Sequence, residues 1–192
     1  MFVNDVPYLT SITKALYYRT ATPMPGMKDP QLFDAIDQVF RLYNDAGITI
    51  TDIYADNQFK SLLNPVKDEL EITIHNPPAD GHVPEAERNN RALKERIRAT
   101  YHRLPYKALP VKVMKILVME SASKLNYFPN KHGISKYYSP RQILHKRSLD
   151  CEHDCKYYFG QYVQAHEETT NTQKGRTKEA PCMRPIEGGH QV

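Results

Sequence analysis

The spacing of apolar residues switches from strand-like to helical and back within the first hundred residues, and a chain that does this is confined to sheets covered by helices. Phe2-Val3 and Tyr8-Leu9 flank Asn4-Asp5, a pair that tolerates the positive φ of a tight hairpin turn, and Leu16-Tyr17-Tyr18 predicts a third strand of the same meander. Thr20 to Lys28, with Pro23, Pro25 and Gly26, reads as a loop. Leu32, Ile36, Val39, Phe40 and Tyr43 then recur at helical spacing, with Asp29 as the N-cap, Pro30 at the first helical position and Gly47 just past the end.

The β-branched run Ile48, Ile50 and Ile53, with Tyr54, predicts a strand that delivers Asp56 at its C-terminal tip. A short helix over Phe59 to Leu63 is expected to stop near Pro65, and Leu70, Ile72 and Ile74 alternate as in a half-buried strand. His75 to Val83 is a loop long enough to move. Pro84 opens a helix whose buried stripe is Ala86, Leu93, Ile97 and Leu104, and Val111 to Asn126 predicts a second helix built on Val113, Ile116, Leu117 and Met119. A short helix begins at Ser139-Pro140. The order of elements is that of a ribonuclease H-like α/β fold: a mixed sheet made of a three-strand antiparallel meander plus parallel strands, flanked by helices. The core is assigned to residues 1–126, and residues 127–192 to a partly irregular C-terminal extension.

The length of 192 residues suits one core with an appendage. Val111 to Met119 is too short to span a bilayer and is broken by Lys112 and Lys115, so no membrane partner is expected. Three cysteines argue against a disulfide scaffold and for an intracellular, reducing setting. The net charge of +4 hides a strong asymmetry: between Arg88 and Arg147 fifteen Lys and Arg face only Glu95 and Glu120, a balance of +13 against −9 elsewhere. Such a contrast points to a polyanion, with nucleic acid as the leading partner, against the alternative of solvated helix faces.

An Asp at the tip of a central strand and a Glu in the first turn of a helix behind a loop can hold a hard divalent cation, and Asp56 and Glu87 have those placements. Without further support such acids are more often a strand-end turn former and a carboxylate favoured by the helix dipole. Arg88, Arg91, Lys94 and Arg98 follow at turn spacing, where a phosphate backbone would run toward those acids. Cys151, His153 and Cys155, with His145 nearby, crowd ligands too closely for zinc and read as a surface loop, and Cys182 reads as a tail residue. The paired tyrosines Tyr17-Tyr18, Tyr137-Tyr138 and Tyr157-Tyr158 read as structural, one buried and one exposed in each pair.

Asp56 in YADNQF and Glu87 in HVPEAERNNRALKERIR resemble the second and third acidic motifs of copia-type retrotransposon integrases. MFVNDVPYLTSIT, ATYHRLPYKALP, LNYFPN, SPRQILHKR and FGQYVQAHEE look like successive landmarks of the same lineage, so the resemblance covers most of the chain. It implies an integrase catalytic core that joins DNA ends to target DNA by transesterification, with Mg²⁺ or Mn²⁺ held by an acid triad. Asp56 and Glu87 would be the catalytic and metal-binding acids, and Arg88, Arg91, Lys94 and Arg98 would position the DNA backbone. It also implies DNA, as retroelement ends and target, as the partner, allows a homo-oligomer, and places the protein in the nucleus if it acts on DNA. In the family the first acid precedes the segment that MFVN resembles, a residue or two upstream of Met1, and Asp5 lies in the hairpin turn instead. The chain is therefore expected to be an N-terminally truncated core that binds nucleic acid and is catalytically incomplete. The alternative is a non-catalytic nucleic-acid-binding or interaction module derived from a retroelement.

Overall fold

The structure is a computed structural model, and it describes residues 1–78, 83–166, 177–186 and 189–192. The meander comes first. Strand β1 (Phe2–Val3) turns through Asn4 and Asp5, with φ 45° and 61°, into β2 (Val6–Ile12), which pairs antiparallel with β3 (Arg19–Pro23). The Asn4-Asp5 turn is thus where its residue types put it. The third strand is not: Leu16 to Tyr18 lie in the connection, where Tyr17 has φ 57° and its N–H donates to the Thr13 carbonyl at 3.0 Å. The strand occupies the first part of the segment read as a loop, because Leu9 to Ile12 extend β2 and push the turn along the chain.

Helix α1 (Asp29–Asp45) follows, one residue out of the expected frame, with Lys28 as N-cap and Ala46 as C-cap. Gly47, at φ 73°, ends it in the left-handed conformation that glycine adopts at least cost. Asp29 does not cap; its carboxylate accepts from the Ser61 hydroxyl at 2.9 Å. Strand β4 (Asp52–Tyr54) lies parallel to β5 (Thr73–His75), with Ile53 opposite Ile74. Between them a 3-10 turn (Asn57–Leu62) leads into α2 (Leu63–Leu70). Pro65 does not stop this helix, since in the first turn its missing N–H has no intrahelical partner to lose. Leu70 belongs to that helix, and the strand begins only after Glu71 turns through φ 58°. Among the described residues the meander and the β4-β5 pair form separate hydrogen-bonded sheets.

Helix α3 (Pro84–His102) starts at the proline as expected and α4 (Val111–Lys124) ends two residues early. Leu93 and Ile97 are buried, while Ala86 is half-buried and Leu104 lies beyond the helix. The buried face of α4 is Met114, Leu117, Val118, Ser121 and Ala122, turned away from the expected Val113, Ile116 and Met119, which are half-buried. Two cores result. Tyr8, Leu93, Ile97, Leu117 and Val118 share one with α3 and α4, and Leu32, Ile36, Val66, Ile72 and Ile74 share the other with α1 and α2. Adjacent residues of β2 divide between them, Tyr8 to the first and Leu9 to the second, as alternation along a strand requires.

The C-terminal segment, expected to be partly irregular, carries regular pieces as well. It contains α5 (Pro140–His145), capped by the Ser139 hydroxyl, α6 (Cys151–Asp154), and two antiparallel pairs. Strand β6 (Tyr162–His166) pairs with β7 (Thr177–Pro181), and β8 (Arg184–Ile186) pairs with β9 (Gly189–Gln191). Arg176 and Gly188 of the tail lie outside the described residues. Cys182 is buried, its backbone bonded to Gln161 and Gly160 at 2.7 Å each, whereas Cys151 and Cys155 are exposed. Phe159 joins the first core, and Gly160, at φ 78°, lies where any added Cβ would run into Leu104. None of the tyrosine pairs divides into buried and exposed members: Tyr137 and Tyr138 are both exposed, and all three pairs lie outside strands. No helix among the described residues is long and apolar enough to cross a membrane.

Asp154 is buried and accepts from Arg141 at 2.8 and 3.3 Å and from its neighbour Asp150's N–H at 3.2 Å. Burial alone would raise its pKa, but these bonds and His153 outweigh it and hold the carboxyl below its ordinary value of 3.8. A carboxyl depressed in the folded state stabilises above its unfolded pKa and loses that contribution as the pH falls through the folded value. Asp154→Asn, which strands the Arg141 cation, should cost about 3 kcal/mol at neutral pH by urea denaturation. The gap to the parent should close as the pH drops below 3.8.

Candidate functional site

Asp56 lies two residues beyond β4, at the N-cap position of the 3-10 turn, with an extended backbone and no capping bond from its side chain. Its carboxylate is therefore not consumed by the turn. The segment is held from β5: the Asn76 amide donates to the carbonyls of Ala55 at 2.9 Å and Asp56 at 2.8 Å. This tie between the ends of two parallel strands fixes where Asp56 stands. Glu87 stands exposed in the first turn of α3, its N–H donating to the Val83 carbonyl at 3.1 Å.

Helix α3 is fastened to the meander by polar as well as apolar groups. Thr10 donates to Asn90 at 2.7 Å, Arg19 donates to Asn89 at 3.1 Å, and Asn89 reaches the Ser11 carbonyl at 3.4 Å. With Leu93 and Ile97 they form the inward stripe, so Arg88, Arg91, Lys94 and Arg98 are all turned to solvent. Arg91 pairs with Glu95 at 3.0 Å and Arg88 with Glu85 at 3.5 Å, contacts that water screens to about 0–1 kcal/mol each and that a phosphate can displace. The Met1 ammonium links this face to the strand end. Its pKa is lowered by burial first and by Lys94 second, while Asp56 acts in the opposite direction, so Asp56 and Lys94 both lie within electrostatic reach of one amine.

Past Tyr54 and Asn76 opens a cleft of about 270 Å³ whose lining does not include Asp56. Tyr54 and His75, side by side in the parallel register, stack at 5.0 Å, and Lys14 sits 3.7 Å from the Tyr54 ring centre. His75 also meets Asp52 at 2.7 Å. The Asp52 carboxyl is held below its ordinary value, first by the Thr51 hydroxyl and then by His75. Glu85, and not Glu87, lines this cleft with Asn76 and Pro77. The sequence offered one signal for the Tyr54-His75-Lys14 cluster, the alternation that sends Asp52 and Tyr54 to the same side of β4. The pairing across β5 was not readable from it. Ala79, Asp80, Gly81 and His82 of the expected loop lie outside the described residues. Among the described residues no three His, Cys, Asp or Glu side chains gather in a group able to hold a metal ion. His145 bonds instead to the Tyr18 hydroxyl at 3.0 Å.

No family model matches the sequence, and no curated protein does. Among solved structures the chain is similar to the catalytic core domain of BIV integrase, with a TM-score of 0.53 and 18% identity over 74% of this chain and 88% of that one. The chain has an integrase-like ribonuclease H fold. The cleft opens between the ends of β4 and β5 and the start of α3.

Removing the Asn76 amide should free the turn that carries Asp56. Asn76→Ala is expected to cost about 1–3 kcal/mol. In hydrogen exchange the Phe59 N–H, which donates to the Asp56 carbonyl at 3.0 Å, should lose protection while the amides of α4 keep theirs.

Proposed function

We propose that this protein is a fragment of a retrotransposon integrase of the copia type that binds DNA along α3 and does not complete the chemistry of its relatives. The observation that carries the reading is the exposed row Arg88, Arg91, Lys94 and Arg98 on a helix whose opposite face is locked to an integrase-like core. A DNA backbone along that row passes Glu87 in the first turn and runs toward the strand end that carries Asp56.

Asp56 and Glu87 are the acids that would hold Mg²⁺ or Mn²⁺, which supplies Lewis acidity when bound. Two carboxylates do not fit a two-metal centre, which must satisfy two hard cations with many oxygen ligands, so no catalytic step is assigned to this chain. A calorimetric Mn²⁺ titration should give at most weak binding, and Asp56→Asn or Glu87→Gln should abolish it. Unchanged binding in both variants removes the assignment.

The second reading is a binding module without residual chemistry, whose DNA binding would be independent of metal and unaffected by Asp56→Asn. Both readings require a salt-dependent complex. Four phosphate contacts give a log–log slope of about −3.6, or roughly a 150-fold loss of affinity between 50 and 200 mM salt. Lys94→Ala and Arg98→Ala should each reduce that slope by about 1. A flat salt series sinks both readings, and metal-dependent DNA cleavage that Asp56→Asn abolishes would overturn the second reading and the catalytic incompleteness stated in the first.

A further inference from the structure

A second cavity, of about 280 Å³, lies away from the candidate site, between the C-terminal half of α3, the far end of α4 and the segment before β6. Glu120 contributes to its wall. This side chain is 6% exposed, and its Oε1 is ion-paired with Lys124 Nζ at 3.3 Å. Burial raises the pKa of the carboxyl, with Lys124 the main counterweight. An ionised carboxylate offers about four acceptor positions, and a single ammonium leaves the others to be met, so the site favours a ligand that brings donors.

The rest of the lining narrows the choice. Arg103 stacks on Tyr158 at 4.8 Å and Lys156 lies 5.4 Å from the Tyr157 ring, so cations and aromatic faces alternate at the entrance, with Arg96 on the α3 side. Phe128 presents a further exposed ring. A simple anion would meet the Glu120 charge, and an apolar ligand would leave it unsatisfied. A planar ring with adjacent N–H donors at one end and an anion at the other satisfies every part. Among nucleobases guanine presents two neighbouring donors, N1–H and the N2 amine, to one carboxylate. The volume suits a single base rather than a drug-sized ligand, for which about 300–1,000 Å³ is usual.

We propose that this cavity binds an unpaired guanine nucleotide, its base edge donating to Glu120, its ring against the Tyr157, Tyr158 and Phe128 faces, and its phosphate on Arg96, Arg103 or Lys156. The site is independent of the acids at the strand ends and stands whether or not they bind metal. Aromatic stacking with carboxylate readout of the base edge is how unstacked bases are held elsewhere.

The test is equilibrium binding of dGMP, dAMP and dCMP to the full chain at fixed salt. dGMP is expected to bind at least tenfold more tightly than the other two. Glu120→Gln, which keeps the shape but replaces one acceptor with a donor, should erase that preference. Arg103→Ala should weaken dGMP at least threefold and leave deoxyguanosine unchanged. Thermal melting of each variant checks that it folds, and a competing dGMP series on the parent protein keeps the test independent of them. Equal affinity for the three nucleotides, no dGMP binding at millimolar concentration, or an unchanged preference in a folded Glu120→Gln each overturns the proposal. The source is read from a thymidylate oligomer ending in guanine. Tighter binding than free dGMP supports the site and marks a DNA strand as its ligand, and equal binding supports it with the free nucleotide.

Discussion

The seam between α3 and the meander decides which face of that helix is turned to solvent. Leu93 and Ile97 supply the apolar contact, but a helix that presents only apolar groups can rotate by a fraction of a turn at small cost. Asn89 and Asn90 remove that freedom, because their amides meet Thr10, the Ser11 carbonyl and Arg19, and a buried amide that loses such partners is penalised. Fixing one face of the helix fixes the other, which holds the acids of the first turn and the row of cations.

A second polar anchor does the same for the far end of the seam. Asn126, fully buried, accepts from the Arg19 N–H and donates to the Arg19 carbonyl, both at 2.8 Å, so it pairs with the first residue of β3 as another strand would. One arginine thus touches both Asn89 and Asn126, and the end of α4 is registered to the same strand as α3. The cavity that holds Glu120 lies against these two helices, and its shape depends on that registration.

The strand ends follow a different logic. Parallel strands place their C-terminal ends side by side, and the loops that leave them carry side chains to one edge. Here Asp56, Tyr54, His75 and Asn76 meet at that edge although about twenty residues separate the two strands. The helix α2 between them passes through Pro65, and only its cover of the second core, through the fully buried Val66, makes the path obligatory.

Local residue types settled what short-range physics can settle. Asn4-Asp5 make the hairpin because both accept positive φ, Gly47 ends α1, Pro84 opens α3, and the spacing of Arg91, Lys94 and Arg98 puts them on one side of a helix wherever it docks. The same reasoning placed Asp56 near a strand end. It failed where a tertiary contact decided between local options: β3 began after the tyrosines, Pro65 entered a helix, and α4 turned a different stripe inward. Which glutamate of α3 looks into the cleft, whether Tyr54 finds His75, and that Glu120 is buried beside Lys124 were decided by the packed fold alone. The reason is that each depends on groups far apart in sequence, whose approach is fixed by burial and by the need to pair buried polar atoms, and neither leaves a periodic mark on the chain.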